Sequence, residues 1–485
     1  MSLSLLRARS FLGAGLRTIQ PSVTSGARSF RAEAEIAKAG PMSPDMSEEV
    51  VWEDSVSCRT AYLNRPQALN ALSSGMCSRI KELFETWDQK EHIKAIMLKG
   101  VGKAFCAGGD VQSVVLSARS GGDKKKEALD FFREEYDMNF KISLLQKPLI
   151  SFLDGYTMGG GLGVCIYGRF RVATENTVAA MPECSIGLFP DIGAMHWLSK
   201  MPSNLGVMLA LTGYRLKGRD VAASGIATHF VTSAAVTAVE RRLQAVAPQS
   251  TIEEDHTVIC EAIREFQPDP YDDEERTAMP EDSVFRFLPH VERIFGAPTV
   301  EEILRALDDE ISTSSASEPE VVKFLEGLKE SMLAACPLML KVTLRRLQTT
   351  GSMRLSDVLQ QDFAMVQHSL NDPNFFEGVR ARLIDKDGAP KWAPMSVEEV
   401  TPAMVDAFFQ PAPETLPLTK ELLKYEEEVL SWRRSRALER VKAEAAQESH
   451  ARRKALMSAE EEENTYDHTQ EDQDQQQAPS HRSKL

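Results

Sequence analysis

Residues 94–110, KAIMLKGVGKAFCAGGD, run from a short apolar stretch straight into paired glycines. Lys94-Ala95-Ile96-Met97-Leu98-Lys99-Gly100 has the length and composition of a buried strand, and Gly102–Asp110 follows it directly. Glycine pairs after a strand let backbone approach a ligand closely, with peptide N–H groups free to face an anion. The pattern recurs downstream. Pro148-Leu149-Ile150-Ser151-Phe152-Leu153 reads as a second buried strand, and Met158-Gly159-Gly160-Gly161-Leu162-Gly163 then opens an apolar, helix-like segment. Its N–H groups would lie at a helix N-terminus, where developing negative charge is stabilised. Two such sites brought together would form an oxyanion hole. Taken singly, each glycine run is more often a tight turn than a ligand cradle. Neither has the Gly-Lys-Ser/Thr ending of a Walker loop or the GxGxxG spacing of a dinucleotide fold.

Around these units, from Val50 to about Val231, short apolar runs alternate with amphipathic stretches. Ser73 to Trp87 carries Met76, Ile80, Leu83, Phe84 and Trp87 at helical spacing, so an α/β layer is expected. From about residue 234 to 375 the chain turns predominantly helical, with Val300–Leu307, Glu320–Leu333 and Leu338–Leu347 as amphipathic candidates. Residues 411–417, PAPETLP, read as a linker, and Thr419 caps a long charged helix reaching towards Glu460. The organisation expected is a transit-like segment over 1–40, an α/β core over 46–250 and its helical part over 251–400. A linker and charged helix over 401–460 and an acidic, disordered tail over 461–485 complete it.

A third stretch, Ala180-Met181-Pro182-Glu183-Cys184-Ser185-Ile186-Gly187-Leu188-Phe189-Pro190-Asp191-Ile192-Gly193, places two acids in apolar, Gly/Pro-punctuated surroundings. A carboxylate there is desolvated and its pKa rises, as acid/base work near neutrality needs. The alternative is a pair of solvated loop acids. In Phe131-Phe132-Arg133-Glu134-Glu135-Tyr136, on a helix ending near Leu145, the residues alone favour a solvated face for both glutamates.

Composition narrows the function classes. Of 485 residues, 42% are hydrophobic and 26% charged, which excludes wholesale disorder and a fibrous protein. A net charge of −15 without a basic stripe speaks against a general nucleic-acid binder. No run of eighteen apolar residues occurs, so no membrane span is expected. The seven cysteines stand singly, against both a disulfide scaffold and a zinc site. Cys106 and Cys184 lack a histidine at diagnostic spacing and read as packing residues. His92, His196 and His229 stand alone, so no metal is expected.

Both ends carry addresses. Residues 1–32 hold five arginines and no acid, with Leu5, Leu12, Leu16 and Ile19 on one helical face, the make-up of a mitochondrial transit peptide. The chain closes on Ser483-Lys484-Leu485, a peroxisomal address. The N-terminal signal is normally read first, so mitochondria are expected and peroxisomes are the alternative.

KAFCAGGD, MGGGLG and MPECSIGLFPDIG, in this order and at these separations, resemble the crotonase (enoyl-CoA hydratase/isomerase) superfamily. The similarity is greatest to its 3-hydroxyisobutyryl-CoA hydrolases. It extends from about residue 50 to 400, through FFREEY, RFRVATE, ALTGYRLKGRDVAASGIATHFV and EGVRARLIDKDGAPKWAP. The resemblance implies a spiral of repeated ββα units with a C-terminal helical region. It implies an acyl-CoA partner, namely hydrolysis of 3-hydroxyisobutyryl-CoA to 3-hydroxyisobutyrate and coenzyme A in valine breakdown. Coenzyme A is then part of the substrate and no separate cofactor is expected. The family's two oxyanion-hole amides fall on Gly109 and Gly160, and its attacking or proton-handling glutamate on Glu183. The assisting aspartate falls on Asp191, and the acid contacting the substrate hydroxyl on Glu135. Hydratases of the superfamily carry a second glutamate where this chain has Gly163, which disfavours hydration. A homo-oligomer is compatible with the resemblance. Two alternatives stay open: another acyl-CoA as substrate, and a structural subunit of the mitochondrial ribosome, for which the basic stretch from Trp432 to Lys454 is a candidate contact. Lys386 and Lys391 are candidates to meet coenzyme A phosphates, although solvated charges are the commoner reading.

Overall fold

The structure, a computed structural model, describes residues 47–249, 255–268, 283–314 and 318–435. The transit-like segment, the tail and its Ser483-Lys484-Leu485 address, and the charged helix beyond 435 lie outside these residues. Among the described residues, ten strands build two sheets. β1 (Val50–Ser55), β2 (Cys58–Leu63), β3 (Ala95–Gly100), β5 (Leu149–Leu153), β7 (Phe170–Ala173) and β10 (His229–Phe230) form the larger in that order. β4 (Ala104–Cys106), β6 (Tyr156–Met158), β8 (Val178–Ala180) and β9 (Leu216–Lys217) form the smaller. Only the β1–β2 and β8–β9 pairs are antiparallel. β3 and β4, β5 and β6, and β7 and β8 follow one another in the chain, each pair giving one strand to each sheet. That alternation is a spiral.

Helices return the chain between turns: α1 (Ser74–Gln89) before β3, α2 (Val111–Ser120) and α3 (Asp123–Leu144) before β5, and α4 (Gly160–Ile166) before β7. The Ser73 hydroxyl caps α1 by accepting from Met76 N at 3.1 Å. All five apolar positions picked out on α1 are buried. β5 is buried at every residue, as a strand covered on both faces must be. The expected ββα spiral is therefore the fold observed.

The helical second half closes over this spiral. Helices Val300–Ser314, Pro319–Ala334 and Pro337–Thr350 lie where amphipathic stretches were expected, and Leu355–Ser369 follows them within the region expected to be helical. Leu355–Ser369 packs on α3, with the Tyr136 and Phe363 rings edge to face at 6.4 Å. One apolar cluster runs without interruption from Val50 to Leu416. The Pro-rich stretch read as a linker is instead docked: Gln367 exchanges hydrogen bonds with both backbone groups of Glu414, and Leu416 is buried. Thr419 does cap a helix, accepting from Leu422 N at 3.2 Å. Over 420–435 that helix lies against the core, because buried Glu426 accepts from the amide and hydroxyl of Ser356.

Candidate active site

The smaller sheet aims two glycine turns at each other. Beyond β4, backbone bonds from Leu72 N to Gly108 O and from Asp110 N to Leu72 O, both 2.8 Å, pin Gly108–Asp110 against the entry to α1. Beyond β6, Gly160 is the first residue of α4, a position whose N–H has no partner within its helix. A Cβ placed on Gly160 would lie 3.0 Å from the Gly109 amide nitrogen, so the two peptides are neighbours. They line a cavity of about 500 Å³ together with Glu135, Glu183 and Asp191. All five residues carried over from the resemblance thus meet in one place.

The three carboxyl groups are buried. Glu183 opens a short helical turn after β8, and helix Pro373–Val379 packs on that turn. Glu135 lies on the inner face of α3, contrary to the solvated face its charged neighbours suggested. Glu134 does point outward, to Ser78 and Lys81 at 3.0 Å. Among the described residues, Glu135 Oε1 and Glu183 Oε2 have no hydrogen-bond partner, an orphaned pair of acceptors beside a cavity. Burial, and then the Asp191 charge, hold the Glu135 and Glu183 carboxyls well above the usual carboxylate range. Burial pushes Asp191 up to about 7; the Tyr136 hydrogen bond opposes this and the Asp362 charge adds to it.

Asp191 sits in a constrained turn. Tyr136 donates its hydroxyl to Asp191 Oδ2 at 2.6 Å. Ile192 has φ 56° and Gly193 φ 72°. A β-branched residue in the left-handed region costs roughly 1–3 kcal/mol, maintained only where surroundings over-determine it. Here Tyr167 donates to the Ile192 carbonyl at 2.8 Å, and Asp362 accepts from Gly193 N at 2.8 Å. Arg346, fully buried, pairs with Asp362 at 2.9 Å. Tyr136, Arg346 and Asp362 were missed in the sequence, although their helical phase marks them. Arg346 falls four residues after Val342, and Asp362 four after Val358, both on buried faces.

Gly163 settles one point of chemistry. A Cβ there would stand 3.0 Å from Asn139 Nδ2 and 3.1 Å from Ile192 Cδ1. A side chain at position 163, such as the second glutamate of a hydratase, would have to displace both neighbours. Cys106 and Cys184 are buried beside the site, and burial pushes the Cys106 thiol up to about 12 and the Cys184 thiol further; they pack rather than react. Lys386 reaches the cavity rim, whereas Lys391 lines a separate open cleft with Arg119 and Phe376. A larger cleft of about 910 Å³ adjoins the cavity through Ala107, Pro182, Ile186 and Leu383. Among the described residues no three His, Cys, Asp or Glu side chains group as a metal site, and no helix is long and apolar enough to cross a membrane.

Residues 58–409 match the enoyl-CoA hydratase/isomerase family. The chain belongs to that family. It is 39% identical over 371 residues to the mitochondrial 3-hydroxyisobutyryl-CoA hydrolase of Gallus gallus, covering 76% of this chain and 90% of that one. The mitochondrial 3-hydroxyisobutyryl-CoA hydrolase of Mus musculus is 40% identical over 354 residues, covering 72% and 85%. Among solved structures, a carnitinyl-CoA dehydratase from Mycobacterium thermoresistibile superposes with a TM-score of 0.66 at 30% identity. That alignment covers 77% of this chain and 100% of the other. As an enoyl-CoA hydratase/isomerase family member, the chain joins the shared spiral to a site with three buried acids and a closely packed glycine at position 163.

Proposed function

We propose that this chain hydrolyses 3-hydroxyisobutyryl-CoA to 3-hydroxyisobutyrate and coenzyme A. The observation that carries the reading is the meeting of buried Glu183 and Asp191 with the Gly109 and Gly160 peptides in one cavity. The thioester carbonyl oxygen lies between the two N–H groups, which stabilise the oxyanion formed on attack. Glu183 either activates a water molecule or attacks the carbonyl itself. In the second course a Glu183 carboxylate oxygen bonds to the acyl carbon, the C–S bond breaks, and the thiolate leaves and takes up a proton. Water then hydrolyses the resulting anhydride. Asp191 assists by holding the charge and proton balance of Glu183.

Glu135 faces the acyl end. Burial raises its carboxyl's pKa, and in its protonated form it both donates to and accepts from the substrate hydroxyl, the feature that separates a hydroxyacyl thioester from acetyl-CoA. Lys386 at the rim, and Arg215, Lys217 and Arg382 along the adjoining cleft, offer cations to the coenzyme A phosphates. No cofactor beyond the substrate is required.

Coenzyme A release by the purified chain lacking residues 1–32 tests this. The substrates are 3-hydroxyisobutyryl-CoA, acetyl-CoA and crotonyl-CoA, with Glu183→Gln as control. Fast release from the hydroxyacyl thioester alone, lost in the variant, is the expected result. No release by a folded protein, or release that survives in Glu183→Gln, overturns it. We also propose a mitochondrial location, supported by the names of the chicken and mouse relatives and the arginine-rich start of the chain. A reporter carrying residues 1–40 should enter mitochondria, and a cytosolic reporter would count against it.

A further inference from the structure

Three consecutive residues, Asp191, Ile192 and Gly193, are each gripped by a side chain from a different part of the fold. Tyr136 of α3 holds the Asp191 carboxylate, Tyr167 just beyond α4 the Ile192 carbonyl, and Asp362 of helix Leu355–Ser369 the Gly193 amide. Two of these grips act on backbone and fix where the turn runs. Only the Tyr136 hydroxyl acts on the functional group itself.

Tyr136 is wholly buried, its ring edge to face with Phe363 and beside Phe132, so its hydroxyl has a single direction. Burial and the Asp191 and Asp362 charges raise the phenol's pKa above its ordinary value, and the hydroxyl donates to Asp191. The groups facing Asp191 are Glu135 and Tyr136 from α3, Tyr167, Glu183 from the preceding turn, and Asp362. Of the cations, Arg346 is engaged by Asp362, and Lys386 stands at the rim of the same cavity. Tyr136 is the side-chain donor that, with a backbone hydrogen bond, favours the charged Asp191 against several groups that oppose it.

We propose that Tyr136 is a positioning residue of this site, whose hydroxyl fixes the orientation in which Asp191 serves Glu183. The proposal rests on the hydrolytic reading above. With one oxygen tied to Tyr136, the carboxylate cannot turn about its Cβ–Cγ bond, and its second oxygen keeps one heading relative to the cavity.

Tyr136→Phe retains the ring packing and removes only the donor. It is expected to lower kcat for 3-hydroxyisobutyryl-CoA by about ten- to a hundredfold, the range for a hydrogen bond to a charged group, while KM changes little. The acid limb of the kcat profile should move to higher pH, because the charged form of Asp191 has lost its donor. In an Asp191→Asn background the same change should have no further effect. Side-chain carbon NMR of the labelled full chain should show Asp191 titrating at higher pH in Tyr136→Phe, a readout independent of turnover. Wild-type kcat with an unmoved Asp191 titration overturns the proposal, as does full additivity with Asp191→Asn. A shifted titration in a protein that hydrolyses no thioester would instead overturn the hydrolytic reading, and with it any role for Tyr136 in catalysis.

Discussion

A Cβ on Gly160 would stand 2.2 Å from Glu135 Oε1, so this carboxyl occupies the space that any side chain at position 160 would need. The glycine is what brings a buried acid within reach of the Gly160 peptide. Gly160→Ala must push Glu135 aside and crowd the Gly109 amide. Coenzyme A release should fall about a hundred- to a thousandfold, equivalent to the roughly 2.7–4 kcal/mol lost with one oxyanion donor. Turnover assays alongside a thermal melt check this. Unchanged turnover in a folded variant would remove the two glycine peptides from the chemistry.

Glu183→Gln keeps the shape of the side chain and removes its charge. Turnover should vanish while coenzyme A binding, measured by calorimetry, stays nearly intact, since the cations offered to the carrier phosphates line the adjoining cleft. Loss of binding and turnover together would mark Glu183 as a binding residue.

Burial outweighs the tyrosine donor and pushes Asp191 up to about 7. If Asp191 acts as the carboxylate, kcat should rise with pH through neutrality and level off above it. With Glu135 and Glu183 close by, the observed limb belongs to the coupled group rather than to one residue. Asp191→Asn should slow turnover and flatten that limb; a rate that falls with pH in this range would mean that the protonated form is the active one.

The strands, the helices and the glycine turns were legible because each is a local pattern. β3 and β5 are apolar runs of strand length, α1 has its five apolar residues in phase, and glycines stand wherever two backbones meet. Glu183 and Asp191 were legible for a related reason, their apolar neighbours announcing burial. Glu135 was not. Its flanks, Arg133 and Glu134, are surface residues, and what buries Glu135 is the absence of side chains at Gly109 and Gly160, in other turns of the spiral. Only the resemblance pointed to it. The Asp191 clamp was hidden for the same reason: Tyr136, Tyr167 and Asp362 lie 55, 25 and 169 positions from the residues they hold. The docked stretch 411–417 misled through composition, since prolines suit an extended strap as well as a linker.

Glu135 is costly to the fold. Its carboxyl is raised above its unfolded value, so the wild-type side chain favours the native state at acid pH, and that contribution is lost as pH rises through the folded value. Glu135→Gln removes the ionisation. The variant should melt about 2 °C or more above wild type at neutral to alkaline pH, with the gap closing on acidification towards the ordinary glutamate range. Thermal melts across pH decide it, and a gap that widens on acidification would mean Glu135 is ionised in the native site.

Arg346 and Asp362 are both fully buried and 2.9 Å apart, and the far oxygen of Asp362 holds the Gly193 amide. Removing one partner of a buried ion pair leaves an uncompensated charge, typically worth about 3–5 kcal/mol. Arg346→Met should destabilise by that order in urea unfolding and should also slow turnover, because an unpaired Asp362 no longer anchors the Asp191 turn. Adding Asp362→Asn supplies a neutral acceptor for Gly193 N and removes the stranded charge. The double variant should therefore be more stable than Arg346→Met alone and recover part of its activity. Equal stabilities of the single and double variants would show that the pair contributes packing rather than charge compensation, and that the Asp191 turn is held by Tyr136 and Tyr167 without it.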